Sequence, residues 1–228
     1  MDAMLKPKKR LTKKEIKEDK FVQKTMQAKA YVEENYQKVM GIVAGIFAVI
    51  LLIMVISYYR GQSKQEANAL LGEAQLEYHN LNYTKAKTML NRLMEEYSGT
   101  DAAEQGKFLM ANLYYREGKY KEAKEYFKDF LDNYSGSEIL IASAIAGYAA
   151  CIAAEGNYLE AAENYRKAQE KAPDFVEAAN YLYLAGLNYQ KADQPEQAQE
   201  MFQKVVENYK DSSRYNDAKA QLIFLTIK

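Results

Sequence analysis

Hydrophobic and polar positions divide this chain into three regimes, and the sharpest is the middle one. From Val39 to Tyr59 the sequence reads Val-Met-Gly-Ile-Val-Ala-Gly-Ile-Phe-Ala-Val-Ile-Leu-Leu-Ile-Met-Val-Ile-Ser-Tyr-Tyr, without a charge. At about 1.5 Å of rise per residue this makes a helix of roughly 30 Å, the thickness of a bilayer's hydrocarbon core. A buried helix of a soluble protein seldom runs past about 18 apolar residues without a polar face, whereas this segment is apolar all round, so the pattern predicts a single transmembrane helix. A cleaved signal peptide also combines a positive start with an apolar stretch. Here the leader is 38 residues long, the apolar run exceeds a signal core, and no small-x-small site follows Tyr58-Tyr59-Arg60. The expectation is a retained signal-anchor.

Residues 1–38 form a basic leader. Its first ten residues are Lys-rich and expected to be disordered, and Thr12-Lys-Lys-Glu15 then has the form of a capping box, predicting a helix that continues through Tyr36 into the span. Phe21, Val22, Met26, Ala30 and Tyr36 give that helix a loose apolar face among lysines. Two readings stand: a helix lying on an anionic inner leaflet, or a solvated signal that stops and orients the chain. The leader's acids interrupt any phosphate-tracking stripe, which argues against nucleic acid as a partner.

After the span the pattern repeats. Asn82-Tyr83-Thr-Lys-Ala86-Lys-Thr-Met-Leu90, Lys119-Tyr120-Lys-Glu-Ala123-Lys-Glu-Tyr-Phe127, Asn157-Tyr158-Leu-Glu-Ala161-Ala-Glu-Asn-Tyr165 and Gln194-Pro195-Glu-Gln-Ala198-Gln-Glu-Met-Phe202 align with their alanines 37, 38 and 37 residues apart. Twelve residues before each alanine stands another small residue: Ala74, Ala111, Ala149 and Gly186. Small residues facing each other let two antiparallel helices pack closely, with Leu90, Phe127, Tyr165 and Phe202 filling the space beyond.

On these residues the chain resembles the tetratricopeptide repeat, a helix-turn-helix unit, over roughly residues 64–212. Each copy runs slightly long for that family, and only the third ends in the family's proline, Pro173; the extra residues are expected in the turns between units. The fold expected is all-α: about four tetratricopeptide units within residues 60–228, closed by a capping helix over 214–227 that carries Tyr215, Ala218, Leu222 and Leu225 on one face. Capping-box spacing occurs at Ser63/Glu66, Asp101/Glu104, Asn157/Glu160, Asp174/Glu177 and Asp193/Glu196, and Gly99, Gly118, Gly136 and Gly156 are expected helix stops.

Composition adds polarity to this layout. The leader holds eleven Lys and Arg against six acids, a balance of +5, and residues after the span hold 20 basic and 25 acidic, or −5, which the zero net charge of the whole conceals. Positive-inside logic then places residues 1–38 in the cytoplasm and 60–228 on the far side, with Tyr58 and Tyr59 at the outer interface. Within the span, Gly41, Gly45 and Ala48 form a small-xxx-small face that admits a second helix, whether another copy or a partner's span. The one cysteine, Cys151, sits in an alanine-rich helical run and reads as small core packing.

No catalytic or metal-binding constellation appears. His79 is the only histidine, Gly106-Lys107 lacks the rest of a phosphate-binding loop, and the many carboxylates alternate with lysines on predicted helix faces. The chain is expected to be no enzyme and to need no cofactor. Asn82-Tyr-Thr84 and Asn133-Tyr-Ser135 have the form of glycan acceptors, but both fall in turns where Asn and Ser serve turn chemistry.

Recognition is what remains. The tetratricopeptide resemblance implies a groove lined by the first helices, which places Asn68, Leu71, Gln75, Tyr78, His79, Gln105, Phe108, Asn112, Tyr115, Arg116, Asn180, Tyr183, Leu187, Gln190 and Lys191 there. Aromatic rings beside amides can bury apolar residues of a peptide while pairing its backbone. The third unit supplies Ser143, Ala146, Ala150, Ala153 and Ala154 instead, a smooth patch open to a bulky side chain. The lysine-and-asparagine clamp by which chaperone-binding members of the family hold a C-terminal carboxylate is not evident. In layout the chain resembles the ancillary-subunit family of the bacterial SecYEG translocon, the YfgM-like family. That resemblance implies an inner-membrane chaperone-adaptor with periplasmic repeats, binding other proteins or unfolded segments near translocon subunits. A structural subunit of a stable envelope complex, self-associated or not, is the alternative.

Overall fold

In a computed structural model the backbone is described for residues 13–227 and the side chains for 20–226. The first ten leader residues and Thr12 of the leader's capping box lie outside the described residues. Ten helices follow in order: α1 Lys13–Glu34, α2 Tyr36–His79, α3 Tyr83–Glu96, α4 Asp101–Arg116, α5 Tyr120–Asn133, α6 Glu138–Ala154, α7 Tyr158–Lys171, α8 Ala178–Lys191, α9 Pro195–Asn208 and α10 Tyr215–Ile227. There is no strand among the described residues. The chain divides into two compact units, Met1–Arg60 and Gly61–Lys228.

In the first unit, every apolar side chain from Ile42 to Ile56 that is large enough to matter stands exposed, and so do Phe21 and Met26 of α1. The apolar window of α2 has no buried residue, and its length and composition are consistent with a transmembrane helix. No side-chain or foreign backbone atom comes within 4 Å of where a Cβ would stand on Gly41 or Gly45.

In the second unit the two columns of small residues explain the fold. Ala74, Ala111 and Ala149 on the first helices and Ala86, Ala123, Ala161 and Ala198 on the second helices are all fully buried. At Gly186 a Cβ would come within 2.5 Å of the Phe202 ring, so only glycine admits that approach. Leu90, Phe127, Tyr165 and Phe202 are buried beyond the contact, as their positions predict. The resulting core runs as three clusters, one joining α2 to α5, one joining α4 to α6, and one from α6 through α9 to Ala218 of α10. Leu222 and Leu225 pack onto the last of these, whereas Ile223 and Phe224 remain exposed.

Connections within units span three residues and end the first helix identically. In each, the residue five before the second helix's alanine (Ala86, Ala123, Ala161 or Ala198, the ladder alanine) is left-handed: Leu81 (φ 64°), Gly118 (74°), Gly156 (89°) and Asp193 (58°). The next amide, that of Asn82, Lys119, Asn157 or Gln194, donates to the carbonyl five residues back, closing the last turn of the helix. Gly99 is left-handed as well, but Gly136 is not; it lies under the Tyr134 ring, whose hydroxyl would be 2.5 Å from a Cβ. Connections between units are longer, four residues after α3 and α5 and six after α7 and α9, so the extra length lies there only in the last two units.

Helix starts differ from the capping-box expectation. Ser63 lies inside α2 and caps nothing. Thr100, not Asp101, caps α4, its Oγ1 accepting from Ala103 N at 3.2 Å. Asn157 stands at the start of α7 without a side-chain cap bond, Glu177 rather than Asp174 occupies that place for α8, and Gln194 rather than Asp193 for α9. Ser137, absent from the spacing pattern, caps α6 by accepting from Leu140 N at 3.4 Å. The Asn and carboxylate side chains have other work: Asn82 Nδ2 donates to Glu77 at 2.8 Å and Asn133 Nδ2 to Asp129 at 2.7 Å.

Two substitutions test this account. Leu81 is two-thirds exposed and forced into the conformation its glycine counterparts adopt freely. Leu81→Gly is expected to raise stability by about 1 kcal/mol, visible as a higher thermal midpoint, since left-handed backbone costs an ordinary residue roughly 1–2 kcal/mol. Asn188 is the one buried polar residue among those described, and its Oδ1 has no partner, while Leu113 and Cys151 fill the same station in earlier units. Asn188→Leu is expected to stabilise by roughly 1–2 kcal/mol in urea denaturation.

Candidate functional site

Reading the first helices by position relative to their small residue separates packing from surface. The station three residues before it is structural. Leu71 is buried with Leu70 and Ala74, so it presents nothing to a ligand. Phe108 lies 5.9 Å from Phe127, and Tyr183 lies 5.6 Å from Phe202, the same contact two units apart. In the third unit that station is Ala146, also buried.

The fourth unit's predicted groove residues are taken up by α10 and its lead-in. Arg214 Nε donates to Asn180 Oδ1 at 2.8 Å and its guanidinium sits 5.0 Å from the Tyr183 ring. Gln190 Nε2 donates to Gln221 Oε1 at 3.2 Å. Leu187, Gln190 and Lys191 line a cavity of about 630 Å3 together with Pro195, Phe224 and Leu225.

Units one and two are different. The side chains of Asn68, Gln75 and Gln105 make no hydrogen bond among the described residues, and Asn112 Nδ2 donates only to Phe108 O of its own helix. Towards the end of the same helices, Tyr78 pairs with Tyr83 at 5.8 Å and Tyr115 with Tyr120 at 5.3 Å, each pair bridging the turn of its own unit. His79 is exposed and edge-on to Tyr78. Arg116 lies over the Tyr83 ring at 5.2 Å and Lys191 over the Tyr158 ring at 5.2 Å, so both predicted cations cover a tyrosine of the preceding unit. Tyr83, Tyr120 and Tyr158 escaped the sequence-based groove because they stand on second helices. Their signal was present, as a tyrosine three residues before the ladder alanine in three units of four.

Ion pairs repeat at the same junctions. Lys87 meets Glu117 at 2.6 Å and Lys124 pairs with Glu155, each joining a second helix to the end of the next first helix. The Glu117 carboxyl is held below its usual range by its bonds to Lys87 and Lys119, and Glu163 likewise by Tyr189 and Arg166. Burial and the Glu163 carboxylate push the Tyr189 phenol up to about 12.

Among the described residues no three His, Cys, Asp or Glu side chains come together as metal ligands. Cys151 is fully buried, and burial pushes its thiol up to about 12, so it carries no thiolate at neutral pH. A disulfide-exchange reagent is therefore expected to label Cys151 only as fast as the repeat body unfolds, with urea accelerating labelling in step with the loss of helical signal.

Two models of the tetratricopeptide repeat family match the chain, one over residues 140–211 and the other over 50–100 and 106–137. A tetratricopeptide repeat protein from Parabacteroides merdae ATCC 43184 is 20% identical over 72% of this chain and 60% of its own length, with a TM-score of 0.58. The present chain thus spans 60% of that protein. Pseudomonas aeruginosa pilF is 18% identical over 74% of this chain and 69% of its own, with a TM-score of 0.56. A MamA RS-1 double mutant is 17% identical over 71% and 94%, with a TM-score of 0.54. At these identities the likeness is one of fold. No curated protein matches the sequence.

Proposed function

The chain belongs to the tetratricopeptide-repeat proteins, and we propose that it is a membrane-anchored chaperone-adaptor whose first helices hold polypeptide segments outside the cytoplasm. The repeat fold itself points to a scaffold for other proteins. The observation that carries the finer reading is that two successive first helices carry amides without a partner, Asn68, Gln75 and Gln105, and also tyrosines, Tyr78 and Tyr115, paired across the turn. Amides left free at a surface can pair the backbone of an extended chain, and the rings bury its side chains.

Anchoring is supported by the fully exposed apolar stretch of α2, which water would not tolerate and lipid would. The +5 leader supports a cytoplasmic amino end and an extracytoplasmic repeat body. The layout's likeness to the YfgM-like family supports a place beside the translocon. A structural subunit of an envelope complex is the second reading, favoured by the open approach at Gly41 and Gly45.

Photoreactive residues in place of Gln75 and Gln105, neither of which holds the fold together, would capture neighbours in intact membranes. Many different polypeptides, with translocon components among them, are the expected catch. One dominant partner in stoichiometric yield would instead favour the structural subunit. Silence from both positions while a probe at Gly45 crosslinks would remove the groove from the account.

A further inference from the structure

Arg116 and Lys191 hold the same station, five residues after the small residue of their first helices, and each covers the tyrosine of the unit before it. In the third unit that station is Ala154. The tyrosine it should cover, Tyr120, has no cation over its ring, and neither has Tyr115, among the described residues. The aromatic half of the arrangement is nonetheless complete. Tyr78 and Tyr83 stand 5.8 Å apart at 56° with Arg116 seated on Tyr83, and Tyr115 and Tyr120 stand 5.3 Å apart at 59° with no cation seated, among the described residues.

Tyr120 is half-buried against the core that joins α4 to α6, and the residues on the exposed side of the pair are small. Tyr115 is 38% exposed, Ala154 is exposed, and Ala150 and Ala153 reach the surface with only a methyl each. Of the lysines nearest in the chain, Lys119 pairs with Glu117 at 3.0 Å and Lys124 with Glu155, and Lys121, next to Tyr120, is exposed and lies over neither ring. The residues after the span carry a net −5, which attracts basic segments at long range.

We propose that the Tyr115–Tyr120 pair is a binding subsite for a lysine or arginine side chain of a bound polypeptide, which takes the station that Arg116 and Lys191 fill in the neighbouring units. This rests on the groove reading above and assigns it a side-chain preference. The negative faces of the two rings attract the cation, while the alanines of α6 give its aliphatic stem room to lie flat.

The test uses the full chain in lipid nanodiscs on an array of short overlapping peptides, each carrying lysine or arginine alongside a copy with norleucine or citrulline in its place. The wild type is expected to retain the charged member of each pair about three-fold more than the neutral one. Ala154→Arg, which seats a cation of the chain's own over Tyr120, and Tyr120→Leu, which removes the ring, are each expected to bring that ratio to one, with helical content checked by circular dichroism. A wild-type ratio of one, or a preference surviving both substitutions, would overturn the subsite while leaving peptide binding in place. Retention of no peptide at all would overturn the groove reading, and this one with it.

Discussion

The repeat body depends on one contact, the crossing of two antiparallel helices at a pair of side chains no larger than a methyl. Ala74 faces the helix of Ala86, Ala111 that of Ala123, Ala149 that of Ala161 and Gly186 that of Ala198, and every alanine of these columns is shut off from solvent. Such a crossing sets the distance between backbones, which in turn fixes how much room lies on either side of it. Leu90, Phe127, Tyr165 and Phe202 fill that room to one side, and the inter-unit core to the other follows in register. A larger residue at Gly186 has nowhere to go, because the Phe202 ring already occupies the place of its Cβ.

With the spacing fixed, polar devices at the junctions become interchangeable. The first two junctions carry Lys87–Glu117 and Lys124–Glu155; the third has Ala162 and Ala192 at those same stations, with Ala162 buried. Exchanging an ion pair for two methyl groups is tolerated because exposed or half-exposed pairs contribute at most about 1 kcal/mol. Burial carries the junction, and the ions adjust it. The same holds for the helix ends within units, where Leu81 and Asp193 adopt the left-handed turn that Gly118 and Gly156 adopt at no cost, because the packing on both sides of the turn requires it.

Much of this was legible from spacing alone. The alanine columns, the filling residues, the four units and the closing helix all follow from a regular period of small and large residues, because that period is the packing itself. Helix starts were not legible, since a Ser, Asp or Asn three residues before a Glu is common in a chain this rich in charge. Thr100 and Ser137 cap their helices without that signature, whereas Ser63 carries it in mid-helix. The groove was legible only in part. Leu71, Phe108 and Tyr183 lie on the predicted face, but they point between helices, and which way a residue of an amphipathic helix leans depends on the size of what stands opposite. The tyrosines of the second helices carry a signal of their own, three residues before the buried alanine, but it is the turn that brings Tyr83 and Tyr120 beside Tyr78 and Tyr115.

A repeat protein also carries its own controls. Where one station holds the same residue type in every unit, packing explains it; where one unit departs, the structure can be asked what the others put there. Asn188 departs from Leu113 and Cys151 and leaves a buried carbonyl unsatisfied, which weakens the fold and offers nothing to a ligand. Ala154 departs from Arg116 and Lys191 in the opposite sense, costing the fold one surface cation–π contact and leaving the Tyr115–Tyr120 pair without a cation. Both are losses of a local interaction. Only the second faces outward, towards the surface where a partner's side chain can restore what is missing.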